Sequence, residues 1–211
     1  TFDNGSTAIS LAAFTTEGDL TLQTDAAIAL TGHTVNGDLA VTSAGAISQS
    51  AALTVSGTSS FTSTGSNNNI TLSTDSNALT GAVSASTVGS SGDVTIDNGT
   101  TALNLGTLTV NGNLTVTAGD SITDSGVITV SGTASFTTDT SDKLITLNSQ
   151  NAITGQVTFD TTSTGGDVYL DNGTTAISLG TISAGDIAGD LTLLTDADQT
   201  ISNAITLNGS G

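Results

Sequence analysis

The 211-residue chain contains no cysteine, proline, methionine, tryptophan or arginine, and its cationic side chains reduce to Lys143 and a protonated His33. Each absence removes a class of explanation. Without cysteine there are no disulfides and no thiol redox chemistry, which fits a surface protein that crosses membranes unfolded. Aromatic residues make up 3% of the chain, too few to fill a β-sandwich core about 10 Å thick. No run of 18 apolar residues is present to span a membrane, so membrane insertion is not expected. No basic stretch precedes an apolar run in the way a secretion signal requires. The net charge of −18 arises from 18 Asp and one Glu against Lys143. Such a polyanion cannot neutralise phosphate, which argues against nucleic acid or an anionic membrane surface as partner. The acidity is read as solvation in a saline or cation-rich exterior, where salt screens the self-repulsion.

What is present is repetition. Glycines recur in sets of three at a short, nearly constant interval, and the set itself returns twice: Gly18, Gly37 and Gly57; Gly92, Gly112 and Gly132; Gly166, Gly189 and Gly209. Most open one phrase, as in GDLTLQTD (18–25), GDLAVTSA (37–44), GDVTIDNG (92–99) and GDVYLDNG (166–173). Self-similarity at so short a period means that no unit buries its apolar face alone, and each must stack on its neighbours. Within the phrases, apolar and polar residues alternate. Leu114 and Val116 oppose Thr115 and Thr117, and Leu20 and Leu22 oppose Thr21 and Gln23. Period two over a short run is a strand with one buried face. Turn formers such as Asp97-Asn98-Gly99 and Asn111-Gly112 separate the strands.

Two all-β arrangements compete, beads of immunoglobulin-type sandwiches and a parallel β-helix. The scarcity of aromatics favours the helix, whose narrow interior takes ladders of Val, Ile, Leu, Ala and Thr. The expected architecture is one solenoid segment over 1–211, with about 20 residues per coil as short-period repeats require. Super-repeats starting near 18, 92 and 166 would span about four coils each. Ten or eleven coils would make a rod on the order of 50 Å long at a strand spacing of about 4.8 Å. Phe61 and Phe136 occupy equivalent places, in SGTSSFT and SGTASFT. They would lie about four coils apart, each filling a wide corner of its own coil and not stacking on the other.

The phrases GNLTVTAGDSITDSGVITVSGTASF (112–136) and GDLAVTSAGAISQSAALTVSGTSSF (37–61) resemble the repeats of filamentous-haemagglutinin-type exoproteins and related giant bacterial surface adhesins. The resemblance covers nearly the whole chain and implies a right-handed parallel β-helix, export from the cell, and a role as shaft or adhesive surface. That family's Asn-Pro-bearing secretion domain is absent, since the chain has no proline, and an Arg-Gly-Asp triplet cannot exist without arginine. The resemblance therefore carries over no binding residues.

Chemistry finds little purchase. Glycan-cutting β-helix enzymes need clustered carboxylates, or a base assisted by Arg, Lys or a metal. Here the aspartates are spread along the turns, and Lys143 and His33 lie far apart in sequence. No nucleophile triad has a supporting motif around the single His. Internal alignment places His33, in TGHTVNG, where Leu108 sits in GTLTVNG, so a half-buried filler or a turn residue is expected. No catalytic, cofactor-binding or metal-ligating residue is assigned, and the chain is not expected to be an enzyme. Calcium is the cofactor with the best case, because Asp-Asn-Gly-Ser/Thr recurs at 3–6, 97–100 and 171–174 and offers hard oxygens. Yet the nonapeptide calcium-roll signature and a bidentate Glu are missing, so tight turns are the preferred reading. The same phrases are Asn-x-Ser/Thr sequons at Asn4, Asn98 and Asn172, joined by Asn69, Asn113 and Asn208. Outward Thr-x-Thr pairs such as Thr115 and Thr117 hint at a flat ice-binding face, but Thr95 pairs with Asp97 and Thr21 with Gln23, so no matched array is expected.

The expectation is a non-catalytic structural or adhesive shaft segment of an extracellular, cell-surface or filament-forming protein. Its partners would be neighbouring repeats or further copies, through an end-to-end fibre, with surface glycans as a further partner. The alternative is a glycan- or calcium-binding module on the same scaffold. The repeat is already running at Thr1 and still running at Gly211, and neither end looks like a polar cap, which suggests a segment of something longer.

Overall fold

A computed structural model describes residues 1–162, 165–183 and 186–199. The repeat mark Gly209, the sequon at Asn208 and the end of the chain at Gly211 lie outside the described residues. The described residues form a right-handed parallel β-helix of about nine turns. Among the described residues every strand pair is parallel, and the strands form sheets of twelve, eight and four. There is no helix among the described residues.

The alternation seen in sequence fixes which side chains turn inward. Leu20, Leu22 and Thr24 of strand Leu20–Thr24 are buried, as are Leu114, Val116 and Ala118 of strand Leu114–Ala118. Successive coils stack these residues in register. One inward column runs Leu22, Val41, Phe61 and Ala85, and another runs Ile96, Val116, Phe136 and Phe159. The columns merge into one apolar core extending from Ile9 to Ile187. Burying a Leu, Ile or Val side chain contributes about 1.5–3 kcal/mol before ordering costs, and no single coil could assemble enough of them alone.

The corners explain the recurrent Gly-Asp and Gly-Asn. Asp19 Oδ1 accepts the Asp38 N–H of the next coil at 2.9 Å, and Asp38 Oδ1 accepts the Thr58 N–H at 2.7 Å. Asn69, Asp93 and Asn113 form a second such column, ending on the Thr133 N–H, and Asp167 does the same for Asp190. The preceding glycine lets the backbones close up. A Cβ on Gly37 would stand 2.4 Å from Asp19 Oδ1 and 2.7 Å from the Gly18 backbone, and one on Gly132 would stand 2.5 Å from the Gly112 carbonyl oxygen. Four of the carboxylates, those of Asp19, Asp38, Asp93 and Asp167, therefore also staple one coil to the next.

The super-repeat differs from expectation in its phase. Leu20, Leu39, Ser59 and Val83 stack directly, so they span three coils, not four. The next strand of the same kind, Val94–Asp97, does not continue that stack. It pairs with Ile70–Leu72 in the eight-stranded sheet, on another side of the helix. From there Val94, Leu114, Ala134 and Val157 again stack over three coils. Val168 then shifts side once more, onto Ile145. One unit is thus three coils plus one strand, and Leu20, Val94 and Val168 mark its equally spaced starts. Coils also vary in length. The step from Ser59 to Val83 takes more chain than the steps from Leu20 to Leu39 and from Leu39 to Ser59.

The phenylalanines follow this phase. Phe61 lies in the twelve-stranded sheet and Phe136 in the eight-stranded one, so they do not stack on each other. Phe136 instead stacks on Phe159 of the next coil, ring centroids 5.8 Å apart.

Candidate functional site

The three Asp-Asn-Gly phrases build one corner. In each, the glycine takes the left-handed conformation, φ +52° at Gly5, +56° at Gly99 and +53° at Gly173, which costs a residue without Cβ little. The aspartate caps it: Asp3, Asp97 and Asp171 Oδ1 accept the N–H of Gly5, Gly99 and Gly173 at 3.0, 2.9 and 2.9 Å. Between them the asparagine of the two interior copies turns inward. Asn98 and Asn172 are fully buried. Asn98 Oδ1 accepts the Leu79 N–H at 2.8 Å, and its Nδ2 donates to the carbonyls of Leu79 and Ala102 at 3.2 and 2.7 Å. Asn172 does the same for both backbone groups of Ile153 and for the Thr175 carbonyl. Each asparagine replaces the backbone pairing that the corner interrupts, so buried polar groups are not left unpaired. At the first coil Asn4 is exposed, with Nδ2 donating to the Thr7 and Ala8 carbonyls. The phrase is a turn, as its composition suggested, and two of its three sequon asparagines are inside the protein.

His33 lies fully in the core at 2% exposure, deeper than a half-buried filler, and matches the buried Leu108 of the other copy. Its ring packs against Phe14 with centroids 4.6 Å apart. Nδ1 finds no partner among the described residues, and burial holds the imidazole pKa below its ordinary value of 6.5. Lys143 pairs with Asp120 at 3.0 Å. The Asp120 carboxyl is held below its usual range first by the Ser121 N–H and then by this ammonium. Asp139 moves the other way: partial burial raises its pKa, and the charges of Asp97 and Asp160 add to the rise. Among the described residues no three Asp, Glu or His side chains converge in a way that could hold a metal ion.

On the outer surface of the eight-stranded sheet, Thr95, Thr115, Ser135 and Thr158 form one in-register column and Asp97, Thr117, Thr137 and Asp160 its neighbour. A matched threonine pair is not carried from coil to coil.

Polar residues that the repeat marks did not single out also shape the corners. Asn77 Oδ1 accepts the Leu53 N–H, and Asn151 Oδ1 accepts the Ile128 N–H, both at 2.8 Å. Their signal was the recurrence of Asn-Ala-Leu-Thr-Gly (77–81) as Asn-Ala-Ile-Thr-Gly (151–155). The inward hydroxyls of Thr24 and Ser43 bond corner carbonyls and carried no separable signal in a threonine- and serine-rich chain.

A family model described as repeats of unknown function (DUF5649) matches residues 17–86 and 91–160. The second matched stretch contains the four stacked strands of one unit, and the first runs from ahead of Leu20 into the fourth of its strands, Val83–Val88. No curated protein and no solved structure matches the chain.

Proposed function

The chain belongs to this DUF5649 family of repeats of unknown function, and on that premise we propose that it is a non-catalytic shaft segment of an extracellular surface or filament-forming protein. The observation that carries the reading is the unbroken ladder. Parallel pairing passes from Phe2–Asp3 to Leu191–Leu194 through one sheet without a gap, over a single continuous core. Such an object resists bending, because the ladder along this sheet bonds each coil to the next, and an eight-stranded sheet from Ile28–Thr31 to Ser178–Leu179 braces a second side. At about 4.8 Å per coil, nine turns hold whatever is attached about 43 Å away. The named adhesin class is a finer proposal of the same kind, supported by the phrases at 37–61 and 112–136.

The alternative, a module that takes a glycan or calcium on its side, is less favoured because the turn carboxylates are already engaged. Asp3, Asp97 and Asp171 cap glycines, while Asp19, Asp38, Asp93 and Asp167 staple coils. Electron microscopy of the purified chain tests the shaft. Straight rods of constant width support it, and flexible strings of separate globules would overturn it. A melting temperature raised by calcium and returned by chelator would favour the alternative.

A further inference from the structure

Six Asn-x-Ser/Thr sequons run along the chain, at Asn4, Asn69, Asn98, Asn113, Asn172 and Asn208, and the fold sorts those it describes. Asn98 and Asn172 have both amide atoms bonded inside the core, and Asn4 has its nitrogen committed to two carbonyls. Asn69 and Asn113 differ from all three in leaving the amide nitrogen without a hydrogen bond to described residues. Both are exposed, and both spend only Oδ1, on the N–H of Asp93 and of Thr133 respectively; Thr133 Oγ1 also donates to Asn113 Oδ1. Their Nδ2 atoms make no hydrogen bond to described residues. They also belong to one corner column, because Asp93 Oδ1 joins Asn69 to Asn113 through the Asn113 N–H at 2.7 Å. The sequon hydroxyls, Thr71 and Thr115, stand in one outward column through Thr95.

We propose that Asn69 and Asn113 are N-glycan acceptor sites, two coils apart on one edge of the rod, and that Asn98 and Asn172 are sequons in letters only. The chemistry suits the corner. A sugar activated as a diphosphate donor forms its C1–N bond with Asn Nδ2 as the C1–O bond to phosphate breaks. The phosphate leaves with the electron pair, and one Nδ2 proton passes to the transferase base. The product remains an amide, so Oδ1 still accepts the same N–H and the coil staple is preserved. The sugar projects from the edge of the eight-stranded sheet, and two coils at about 4.8 Å set the spacing between glycans at about 10 Å. This inference is independent of the shaft reading, since it needs only the corner geometry.

The test uses a soluble, sequon-directed N-glycosyltransferase with its nucleotide-sugar donor, chosen because it modifies peptides spanning 66–73, 95–102 and 110–117. The folded full chain is incubated with it, and intact mass and peptide mapping give the sites. The expected result is addition at Asn69 and Asn113, one addition lost in each of Asn69→Gln and Asn113→Gln, and none at Asn98 or Asn172. In urea-unfolded chain, returned to buffer with the enzyme before refolding, Asn98 becomes an acceptor as well. Folded-state modification of Asn98 or Asn172 at rates comparable to Asn69 would overturn the proposal. So would a folded chain that accepts nothing at Asn69 and Asn113 while the peptides react.

Discussion

The two complete copies of the repeat, residues 18–91 and 92–165, solve the same packing problem on different sides of the helix and with different side chains. In the first copy Phe61 lies between Val41 and Ala85, large against small. In the second Phe136 lies between Val116 and Phe159, and the two rings stack. A corner of the first copy pairs two amides, Gln49 with Asn77. The corresponding corner of the second places the carboxylate of Asp124 on Asn151 and on the N–H groups of Asn148 and Ser149. His33 in one copy stands for Leu108 in the other. A site in this fold is therefore defined by its place along the coil. The side of the rod on which it falls is secondary, and so is its exact polarity, provided that volume and hydrogen bonds close.

The largest effect that could break this equivalence concerns the aromatic columns. Phe136→Ala removes a buried ring and should cost about 3–5 kcal/mol. Phe61→Ala should cost about 1 kcal/mol less, because it has no ring partner to lose. Urea unfolding of both variants decides the matter; equal costs would show that the Phe136–Phe159 stack adds nothing. Next comes Asn98→Ala, which orphans the Leu79 N–H and carbonyl and the Ala102 carbonyl. A loss of about 2–3 kcal/mol is expected from buried groups left unpaired, against about 0.5–1 kcal/mol for the exposed Asn113→Ala, whose Thr133 N–H can turn to water.

His33→Leu installs the residue of the second copy and should stabilise the protein by about 1 kcal/mol at neutral pH, by removing an unpartnered buried nitrogen. The sign of its pH dependence follows from the depressed pKa. The folded state prefers neutral imidazole, so wild type holds this contribution above the ordinary value of 6.5 and loses it as pH falls from there toward the folded value. His33→Leu should abolish that loss, and melting curves for the two proteins that run parallel between neutral and mildly acidic pH would show otherwise. The smallest effect belongs to Asp139, whose raised pKa means that its contribution is present when protonated and lost as pH rises through the folded value. Asp139→Asn should raise stability at neutral pH by less than about 1 kcal/mol, as thermal melts would report. The gain should shrink as added salt screens Asp97 and Asp160.

The strands and their parallel stacking were legible because alternation and a fixed glycine interval leave few other ways to bury Leu20, Leu22, Leu39 and Val41. The phase was not. The same Gly-Asp-Leu/Val phrase serves on any side, so nothing in its letters tells that Val94 sits on Ile70 and not on Val83. Coil length was obscured at 64–69 and 87–92, where the strands Ser59–Ser66 and Val83–Val88 run on past their neighbours and their pairing shifts register between Ser86 and Val88. At the Asp-Asn-Gly corners, the roles of Asp97 and Gly99 could be anticipated from turn chemistry. The inward turn of Asn98 could not, because it depends on the Leu79 backbone one coil away. Internal alignment matched His33 to the buried Leu108, yet the expected half-buried filler or turn residue lies deeper, a depth set only by the coil closed around it.

The restart of each unit one strand past its third coil has a consequence for inheritance. A duplication or loss of a whole unit creates a junction identical to those already present, so a gene can lengthen or shorten the rod without inventing a new joint. Each added copy also starts on a different side of the rod from the copy before it. Variants in copy number would then differ in both reach and the directions they face, two traits set by a single genetic event.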